Sequence, residues 1–569
     1  MFEIFVYSYL TSIFVFASGI FFSKKIINID FNKEVNLFQI GLNGFIFLSF
    51  LALFINFFSE LNKLVNTIII SIFFIYLFLN NKILVKKVLI YSIFSSLICL
   101  AIIAFDNTYR PDAGLYHLPF TKILNDEKII VGLSNIHFRY GHTSIIQYIA
   151  ALNNNWVFGD KGILIPLSII FSFIILYLFQ EIRNEKNQII LIFNYIIFSF
   201  ICLKLNRYSD FGNDAPAHIF YFFLISLALK NFKNFNKDNM GEMLSISAFV
   251  IFNKITLFLS ALIPILILFQ KKKIISFNFK ILIFLFIFSF SFFFKNFISS
   301  GCIAFPIEKT CINQVFWYDK ESERGSNAKN TMLENEAWTK GWSDQRENRK
   351  NFEEYLSNYN WVKLWSQNHG KRTLNKLAPF LSFLILFIFI IGYLSKNKKF
   401  ENSTEENNKL FKFLKSLLIL NIIGSLMWFL KFPVFRYGSS YLISNIAILI
   451  LTIFWTKIIS IDLYKLKRIV IYLVVILFFI LLSKNLIRIL KNYDNVYFNS
   501  PWPKIYADDN YNNKKLLKPV YKNNEIIFYQ PNKGLCYYNS APCTHMLDSQ
   551  FSINELNFKF IFSYKVFYF

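Results

Sequence analysis

Long apolar runs, separated by short polar and basic stretches, recur along the whole chain and limit its fold more than any other feature. A helix needs roughly 17 to 25 such residues to cross about 30 Å of hydrocarbon, and about twelve runs are that long. With 55% hydrophobic residues, including 72 phenylalanines among 569 residues, the chain carries more apolar surface than soluble cores usually hold. We therefore expect an all-α polytopic membrane protein.

The length of each apolar run places the expected spans. They lie near residues 2–23, 36–58, 64–80, 88–105, 162–181, 188–205, 216–231, 279–297, 375–394, 411–429, 438–458 and 469–484. The region 243–269 is also apolar, but Asn253, Lys254 and Thr256 interrupt it. Because a lysine at bilayer depth costs roughly 2.5 to 3.5 kcal/mol, we expect a pair of short helices broken at this point. The alternative is one long tilted helix from which Lys254 reaches the surface.

Basic residues cluster between the runs and predict an orientation. Every tract can be cytoplasmic in one threading, with the N-terminus outside, if region 243–269 enters and leaves on the same side. The tracts are Lys24/Lys25/Lys33, Lys82/Lys86/Lys87, Arg183/Lys186, Lys230/Lys233/Lys237, Lys271/Lys272/Lys273, Lys396/Lys398/Lys399 and Lys465/Lys467/Arg468. The net charge of +25 then reflects topology rather than a nucleic-acid partner. The first run lacks the basic start and cleavage site of a signal peptide, so we expect it to remain a span.

This threading leaves three segments outside the membrane and divides the chain into six parts. These are a four-span segment 1–105, an outer loop with surface helices 106–161, a membrane core 162–297, a large outer loop 298–374, C-terminal spans 375–484 and an outer cap 485–569. Strand-like runs at 496–498, 525–529 and 558–569 predict that the cap is a small α/β or β unit. We expect it to cover a site or to meet a partner.

The paired cysteines and the histidines fall in the segments expected outside the membrane or at the outer ends of spans. Four of the six cysteines form two close pairs in the outer segments, Cys302 with Cys311 and Cys536 with Cys543. In an oxidising compartment such pairs form disulfides worth about 2 to 3 kcal/mol each. Zinc ligation is the alternative, although the spacing typical of zinc sites is missing. All six histidines fall outside or at outer span ends, which suggests that this side handles a polar substrate or a proton.

The segment after the fourth span carries the strongest indication of chemistry. Pro111 favours a helix that starts just after it, with Asp112 in the first turn. Tyr116 then lies one turn from Asp112 on the same face, and His117 lies beside it. A carboxylate at the membrane surface can act as a general base on an acceptor that attacks an activated sugar. The alternative is that Asp112 only caps its helix.

A lipid-phosphate leaving group would need positive charge nearby, and Arg110, Lys254 and Arg436 are the candidates. Arg436 beside Tyr437 is alternatively a headgroup anchor. A second acidic turn contains Asp210 and Asp214. It could complete an acidic site with Asp112 or bind a divalent cation with it, and the alternative is an ordinary polar turn between spans.

The outer segments also contain amphipathic and aromatic stretches. The pattern over 120–148 favours helices that lie along the membrane surface, and 349–369 reads as another amphipathic helix. The loop 298–374 is rich in aromatic residues, whose flat faces suit sugar rings or lipid headgroups. They are Trp317, Tyr318, Trp338, Trp342, Tyr355, Trp361 and Trp365.

With these features the chain resembles the GT-C class of polytopic glycosyltransferases. The shared features are the outer-loop Asp112 and Tyr116, the acidic turn, the stretch from Asn296 to Pro306, and the Pro433/Arg436/Tyr437 turn. Together with the cysteine pairs they look more closely like an uncharacterised family of bacterial multi-span proteins related to that class. The chain departs from the class in two ways: three spans precede the leading helix of the loop, and Ala113 follows Asp112 where many members have paired acids.

The resemblance implies a GT-C-like fold of about 12 spans plus the broken hairpin. It implies an inverting transfer of a sugar from a polyprenyl-phosphate-linked donor to a lipid, glycan or protein acceptor, on the outer face of a bacterial inner membrane. Asp112 would be the catalytic base, with Asp106 as a second acid. The residues expected to contact substrate are Tyr116, His117, Arg110, Asp210, Asp214, Lys254, Arg436 and Tyr437. A divalent cation is the one cofactor considered, and membrane lipid is an expected partner.

Two other functions compete with transfer. A transporter or flippase should show inverted repeats and polar residues at matching mid-membrane positions, and the sequence offers Lys254 and no convincing repeat. A noncatalytic surface-polysaccharide assembly protein would use the outer loops as binding surfaces.

Overall fold

The computed structural model describes most of the chain. The described residues are 1–31, 35–106, 112–142, 144–205, 212, 214–271, 278–315, 317–318, 327–341, 352–395, 405–493, 495, 500–506, 517–522, 525–531 and 535–544. Their secondary structure is predominantly helical, with one small antiparallel sheet.

Twenty α-helices follow one another along these residues. They are α1 (Phe2–Phe22), α2 (Leu37–Asn56), α3 (Lys63–Phe78), α4 (Lys82–Ile103), α5 (Leu118–Asp126), α6 (Ile146–Leu152), α7 (Ile165–Asn184), α8 (Gln188–Lys204), α9 (Asp214–Asn231), α10 (Lys237–Asn253), α11 (Leu262–Lys271), α12 (Phe279–Ser300), α13 (Ala328–Thr339), α14 (Phe352–Ser357), α15 (Trp361–Trp365), α16 (Lys371–Leu394), α17 (Glu405–Lys431), α18 (Phe435–Ile453), α19 (Trp455–Ser460) and α20 (Leu463–Tyr493). Short 3-10 or π-helical turns include Ala113–His117, Phe138–His142 and Ile255–Ala261.

Each of the twelve expected spans falls on a helix. Nine helices within the described residues are long and apolar enough to cross a membrane: Phe2–Ile27, Leu37–Asn56, Lys82–Ile103, Asp160–Asn184, Phe279–Ser300, Trp361–Leu394, Glu405–Lys431, Phe435–Ile453 and Leu463–Tyr493. The expected spans at 64–80 and 188–205 form the shorter apolar helices α3 and α8. The span expected at 216–231 forms α9, whose ends are polar and whose middle is buried all round.

The apolar helices leave broad apolar faces uncovered. Phe286 on α12 and Phe389 on α16 are both 72% exposed, and further large apolar side chains line α3, α17 and α20. Faces of this extent are rare on soluble monomers. Together with the nine long apolar helices, these faces are consistent with a multi-span membrane protein.

The region 243–269 is broken, as expected. Helix α10 ends at Asn253, and Lys254 has an extended backbone with φ −153° and ψ 101°. After it the chain returns through Ile255–Ala261 and α11, and the Lys271 Nζ atom donates to the Lys233 carbonyl, 3.2 Å away. The Lys254 side chain pairs with Asp214, the first residue of α9. The hairpin thus runs the full length of α9, about 27 Å for its helical rise, and Lys254 lies at its tip rather than at half depth.

The bundle has two chemically different ends. At one end, which we call the basic end, the basic tracts of successive helices interlock. Their contacts are Lys24 with Asn80, Lys230 with Glu181, Lys233 with Glu406, and Lys467 with the Glu185 carbonyl. At the other end, which we call the site end, the N-terminal Glu3 pairs with Lys161 and accepts a hydrogen bond from Trp502. The charge pattern predicted this separation for the tracts that contain Lys24, Lys230, Lys233 and Lys467, whereas Lys33, Lys272, Lys273, Lys396, Lys398 and Lys399 lie outside the described residues.

Both predicted disulfides are present, Cys302–Cys311 and Cys536–Cys543, so the zinc interpretation of these pairs is wrong. Cys99 and Cys202 are buried free thiols. The cap contains strands β1 (Leu517–Lys522) and β2 (Glu525–Pro531), paired with Leu517 opposite Pro531. The strand predicted at 525–529 is confirmed, whereas 496–498 and 558–569 lie outside the described residues.

The helices expected on the membrane surface are instead buried. All seven residues of α6 are buried, as are seven of the nine residues of α5. Helix α6 packs against α2, α5 and α7, and the cap makes further contacts with this loop. The Tyr538 hydroxyl donates to Asn125 Oδ1 at 2.6 Å and accepts from Asn154 Nδ2 at 2.7 Å.

Candidate functional site

Four charged side chains from distant parts of the chain meet at the site end, and we call them the charge cluster. Lys254 Nζ donates to Asp214 Oδ1, and Asp214 Oδ2 lies 3.9 Å from Arg436 Nε. Arg436 Nη1 then donates to Asp112 Oδ2 at 2.8 Å. The two acids and two bases alternate, so each carboxylate lies beside a fixed positive charge.

Local sequence explains why each charge sits at a helix end. Asp112 precedes the short turn Ala113–His117, and Asp214 opens α9, where a carboxylate suits the positive end of the helix dipole. Lys254 follows the C-terminus of α10, where a cation suits the negative end. Arg436 lies in the first turn of α18, which starts soon after Pro433.

Exposure divides the cluster into a deep and an open half. The side chains of Lys254 and Asp214 are 9% and 23% exposed, whereas those of Arg436 and Asp112 are 38% and 39% exposed. An incoming molecule can therefore contact Arg436 and Asp112 first.

A buried histidine holds the backbone of Arg436. The Arg436 carbonyl accepts hydrogen bonds from Lys254 Nζ at 2.9 Å and from His218 Nε2 at 2.7 Å. Because a carbonyl can only accept, the His218 proton is on Nε2, and its Nδ1 atom accepts from the Ser440 hydroxyl. This arrangement fixes the start of α18 against α9 and the hairpin tip.

Aromatic rings surround the two cations. Lys254 Nζ lies 4.1 Å from the ring centre of Tyr437. The Arg436 guanidinium lies 5.2 Å from the ring centre of Tyr437 and 5.4 Å from that of Trp338 on α13. Such contacts stabilise a cation by about 0.5 to 2 kcal/mol and leave flat faces beside the charges.

Trp338 is anchored by a second ion-pair group. Glu336 accepts from the buried Lys340 at 2.6 Å and from Lys431, at the end of α17, at 3.2 Å. The Trp365 indole also bonds to the Pro433 carbonyl. The large loop is thereby fixed to the turn that carries Arg436.

Asp112 is ionised at neutral pH. Burial alone would raise its pKa, but the charge and hydrogen bond of Arg436 outweigh burial and hold the pKa of this carboxyl below its usual value. An ionised carboxylate can accept a proton, which is the property a general base needs.

His117 is a neutral neighbour. Gln147 Oε1 accepts from the Ser144 amide, so its Nε2 atom donates to His117 Nδ1 at 3.0 Å. Burial lowers the pKa of His117 to about 4. At neutral pH the imidazole therefore adds no charge to the cluster.

A family model described as a domain of unknown function (DUF8201) matches residues 1–443. The chain belongs to the DUF8201 family. The matched range contains the whole charge cluster, whereas the cap lies beyond it. No curated protein and no solved structure matches the chain.

Not all predicted site residues of this DUF8201 protein come together. Asp112, Tyr116, His117, Asp214, Lys254, Arg436 and Tyr437 meet at the site end, where Tyr116 lies beside His117 and under the Arg139 guanidinium. Asp106 instead is 6% exposed and lies 3.7 Å from Arg488, whose guanidinium also binds the carbonyls at the end of α4. Arg110 and Asp210 lie outside the described residues.

The structure of this DUF8201 member also shows contacts that the sequence pattern did not indicate. His218 and Trp338 lie against Arg436, whereas the sequence placed the one only among six outer histidines and the other only among the aromatic residues of the large loop. Glu242 is buried in α10, where it accepts from Gln39 at 2.9 Å and from Asn43 at 2.6 Å. Polar residues inside an otherwise apolar helix could have indicated the last of these.

The divalent cation stays a prediction for this DUF8201 protein. Within the ranges that the structure covers, no three His, Cys, Asp or Glu side chains are placed to hold a metal ion. Asp112 and Asp214 each already lie beside a cationic side chain.

Proposed function

We propose that the protein is an integral membrane glycosyltransferase of GT-C type, which transfers a sugar from a polyprenyl-phosphate-linked donor to a lipid, glycan or protein acceptor. The observation that carries this proposal is the open pair of Asp112 and Arg436, backed by Lys254 and flanked by aromatic rings at one end of a helix bundle.

The geometry supports an inverting displacement. Asp112 removes the proton of the acceptor hydroxyl or amine as that atom bonds to the anomeric carbon of the donor sugar. The bond from this carbon to the phosphate oxygen breaks, and the polyprenyl phosphate leaves with the electron pair. Arg436 and Lys254 stabilise the negative charge that develops on the phosphate.

The surrounding rings suit the substrates. Tyr116, Trp338 and Tyr437 present flat faces close to the charged groups, and sugar rings pack well on such faces. The apolar faces of the bundle suit a polyprenyl chain held in the lipid.

The orientation follows from the two ends of the bundle. The basic end suits the cytoplasm under the positive-inside rule. The site end then faces the periplasm or the exterior of a bacterial cell, where disulfides persist.

Lipid analysis of a deletion strain tests this proposal. Without the protein, we expect a polyprenyl-phosphate-linked sugar to accumulate and one sugar to be missing from a surface glycan, as measured by mass spectrometry. The wild-type gene and the Asp126→Asn variant should restore both, because Asp126 is exposed and pairs with the neighbouring Lys122. A deletion that changes neither the lipid-linked sugars nor the glycans would reject the proposal.

The buried Glu242 favours a second candidate function, a flippase for lipid-linked saccharides, because ionisable groups inside a span often mark transport pathways. In reconstituted vesicles a flippase would move the lipid-linked sugar between leaflets without an acceptor. Translocation that Glu242→Gln abolishes and Asp112→Asn leaves intact would support it over transfer.

A further inference from the structure

Arg436 forms an ion pair with the Asp112 carboxylate at the position where the phosphate of a ligand should bind. Its Nη1 atom donates to Asp112 at 2.8 Å, and its Nη2 atom reaches the Tyr437 hydroxyl at 3.4 Å. The Nε atom is buried and makes no hydrogen bond, because Asp214 Oδ2 is 3.9 Å away. A buried guanidinium N–H without an acceptor is costly, so a rearrangement that brings an oxygen acceptor to Nε would be favourable.

Asp112 is the carboxylate that can leave. Its side chain makes no capping hydrogen bond to the turn that follows it. Its ion pair with Arg436 is also the most exposed in the charge cluster, and exposed ion pairs contribute little to stability. Asp214, in contrast, is tied to the nearly buried Lys254, which also binds the Arg436 carbonyl.

We propose that a phosphate group of the ligand displaces Asp112 from Arg436, so that binding of the phosphate releases the catalytic base. The inference rests on the proposed function and adds that the phosphate binds before Asp112 is free to act as the base. Before the phosphate binds, Arg436 is paired with the Asp112 carboxylate. Once the phosphate oxygens take over Arg436, Asp112 is free to accept the proton of the acceptor, and its carboxylate is more basic because the nearby positive charge is shared.

The charge balance supports an exchange rather than simple addition. Asp112, Asp214, Lys254 and Arg436 carry two negative and two positive charges, so an added phosphate would leave a net negative site at close range. Rotation of Asp112 away from Arg436 relieves this repulsion. The Arg139 guanidinium, which lies over the ring of Tyr116, also attracts the Asp112 carboxylate.

Equilibrium binding to the full-length protein in nanodiscs tests the exchange. The probe is decaprenyl monophosphate, and decaprenol and inorganic phosphate serve as separate competitors that distinguish a lipid phosphate from free phosphate. Asp112→Asn and Asp112→Ala should both bind the probe about fivefold more tightly than wild type, although they lack the base. Arg436→Gln should bind it at least tenfold more weakly, and Asp126→Asn should match wild type.

The outcomes separate the two proposals. If wild type binds the probe through its phosphate but both Asp112 variants bind it equally or more weakly, the exchange is wrong and the proposed function stands. If decaprenol, which has no phosphate, competes as well as inorganic phosphate, both the lipid-phosphate donor and the exchange are rejected. The same holds if wild type does not bind decaprenyl monophosphate.

Discussion

At the scale of single residues, the proposed transfer depends on which groups contact the Arg436 guanidinium. Its guanidinium lies beside Asp112, Asp214, Trp338 and Tyr437, and its carbonyl holds Lys254 and His218. Sequence reasoning found Asp112, Asp214, Lys254 and Arg436 because charges within or beside apolar runs are conspicuous. It could not find their pairing, since that depends on contacts between segments 40 to 324 residues apart.

Arg436→Lys should fail to restore transfer. A lysine ammonium is a single point charge and cannot contact Asp112, Asp214 and a phosphate together as the planar guanidinium can. We expect the transfer rate to fall at least tenfold while expression and membrane insertion are unchanged. A rate within twofold of wild type would show that the planar guanidinium is not required for transfer.

His117 makes the fold sensitive to acid. Because burial lowers its pKa to about 4 from an ordinary value near 6.5, the unfolded chain binds the extra proton first, and stability is lost as pH falls between these values. His142, with a pKa of about 3, acts in the same direction. The melting temperature of His117→Gln in detergent should therefore fall less steeply than that of wild type from pH 6.5 to 4. Identical slopes would contradict the assignment.

At the scale of elements, long apolar helices are easy to predict from the sequence, whereas the burial of a polar loop is difficult to predict. Each apolar run falls on helical structure, and nine helices within the described residues are long and apolar enough to cross a membrane. A lysine within a run located the broken hairpin at Lys254. The surface helices were predicted wrongly because α6 packs against α2, α5 and α7, and because Tyr538 of the cap binds Asn125 and Asn154 from far along the chain. Strand β1 was missed because Pro519 interrupts its pattern.

Tyr538→Phe should loosen the cap. The change removes one hydroxyl and leaves Asn125 and Asn154 without their shared partner in a buried position. We expect a loss of about 1 to 3 kcal/mol in the free energy of unfolding, measured by denaturant titration in detergent. Tyr393→Phe is the control, since Tyr393 is 80% exposed on α16. Equal stability of the two variants would argue against the cap contacts.

At the scale of the whole molecule, the two ends of the helix bundle carry different sets of charged residues. Lys24, Lys230, Lys233 and Lys467 of the basic tracts make contacts at one end, while Glu3 near the N-terminus and the charge cluster lie at the other. The sequence predicted this separation because orientation follows from short basic loops. It could not supply Trp338 and His218, which reach Arg436 only after the whole bundle has assembled.

Labelling of intact cells tests which end faces outward. Cys311 is partly exposed at the site end, so a membrane-impermeant maleimide should modify it only after the disulfide has been reduced. A cysteine introduced by Lys186→Cys at the basic end should react only after the membrane has been permeabilised. The reverse pattern would place the site in the cytoplasm.

The most direct test of the central claim is the transfer rate of the Asp112→Asn variant. Purified proteins in proteoliposomes would receive the radiolabelled lipid-linked sugar that accumulates in the deletion strain, together with its acceptor. Loss of a general base predicts a rate about 10²- to 10⁴-fold below that of wild type and of the Asp126→Asn control. A rate for Asp112→Asn within a few fold of the control would contradict the assignment of Asp112 as the base.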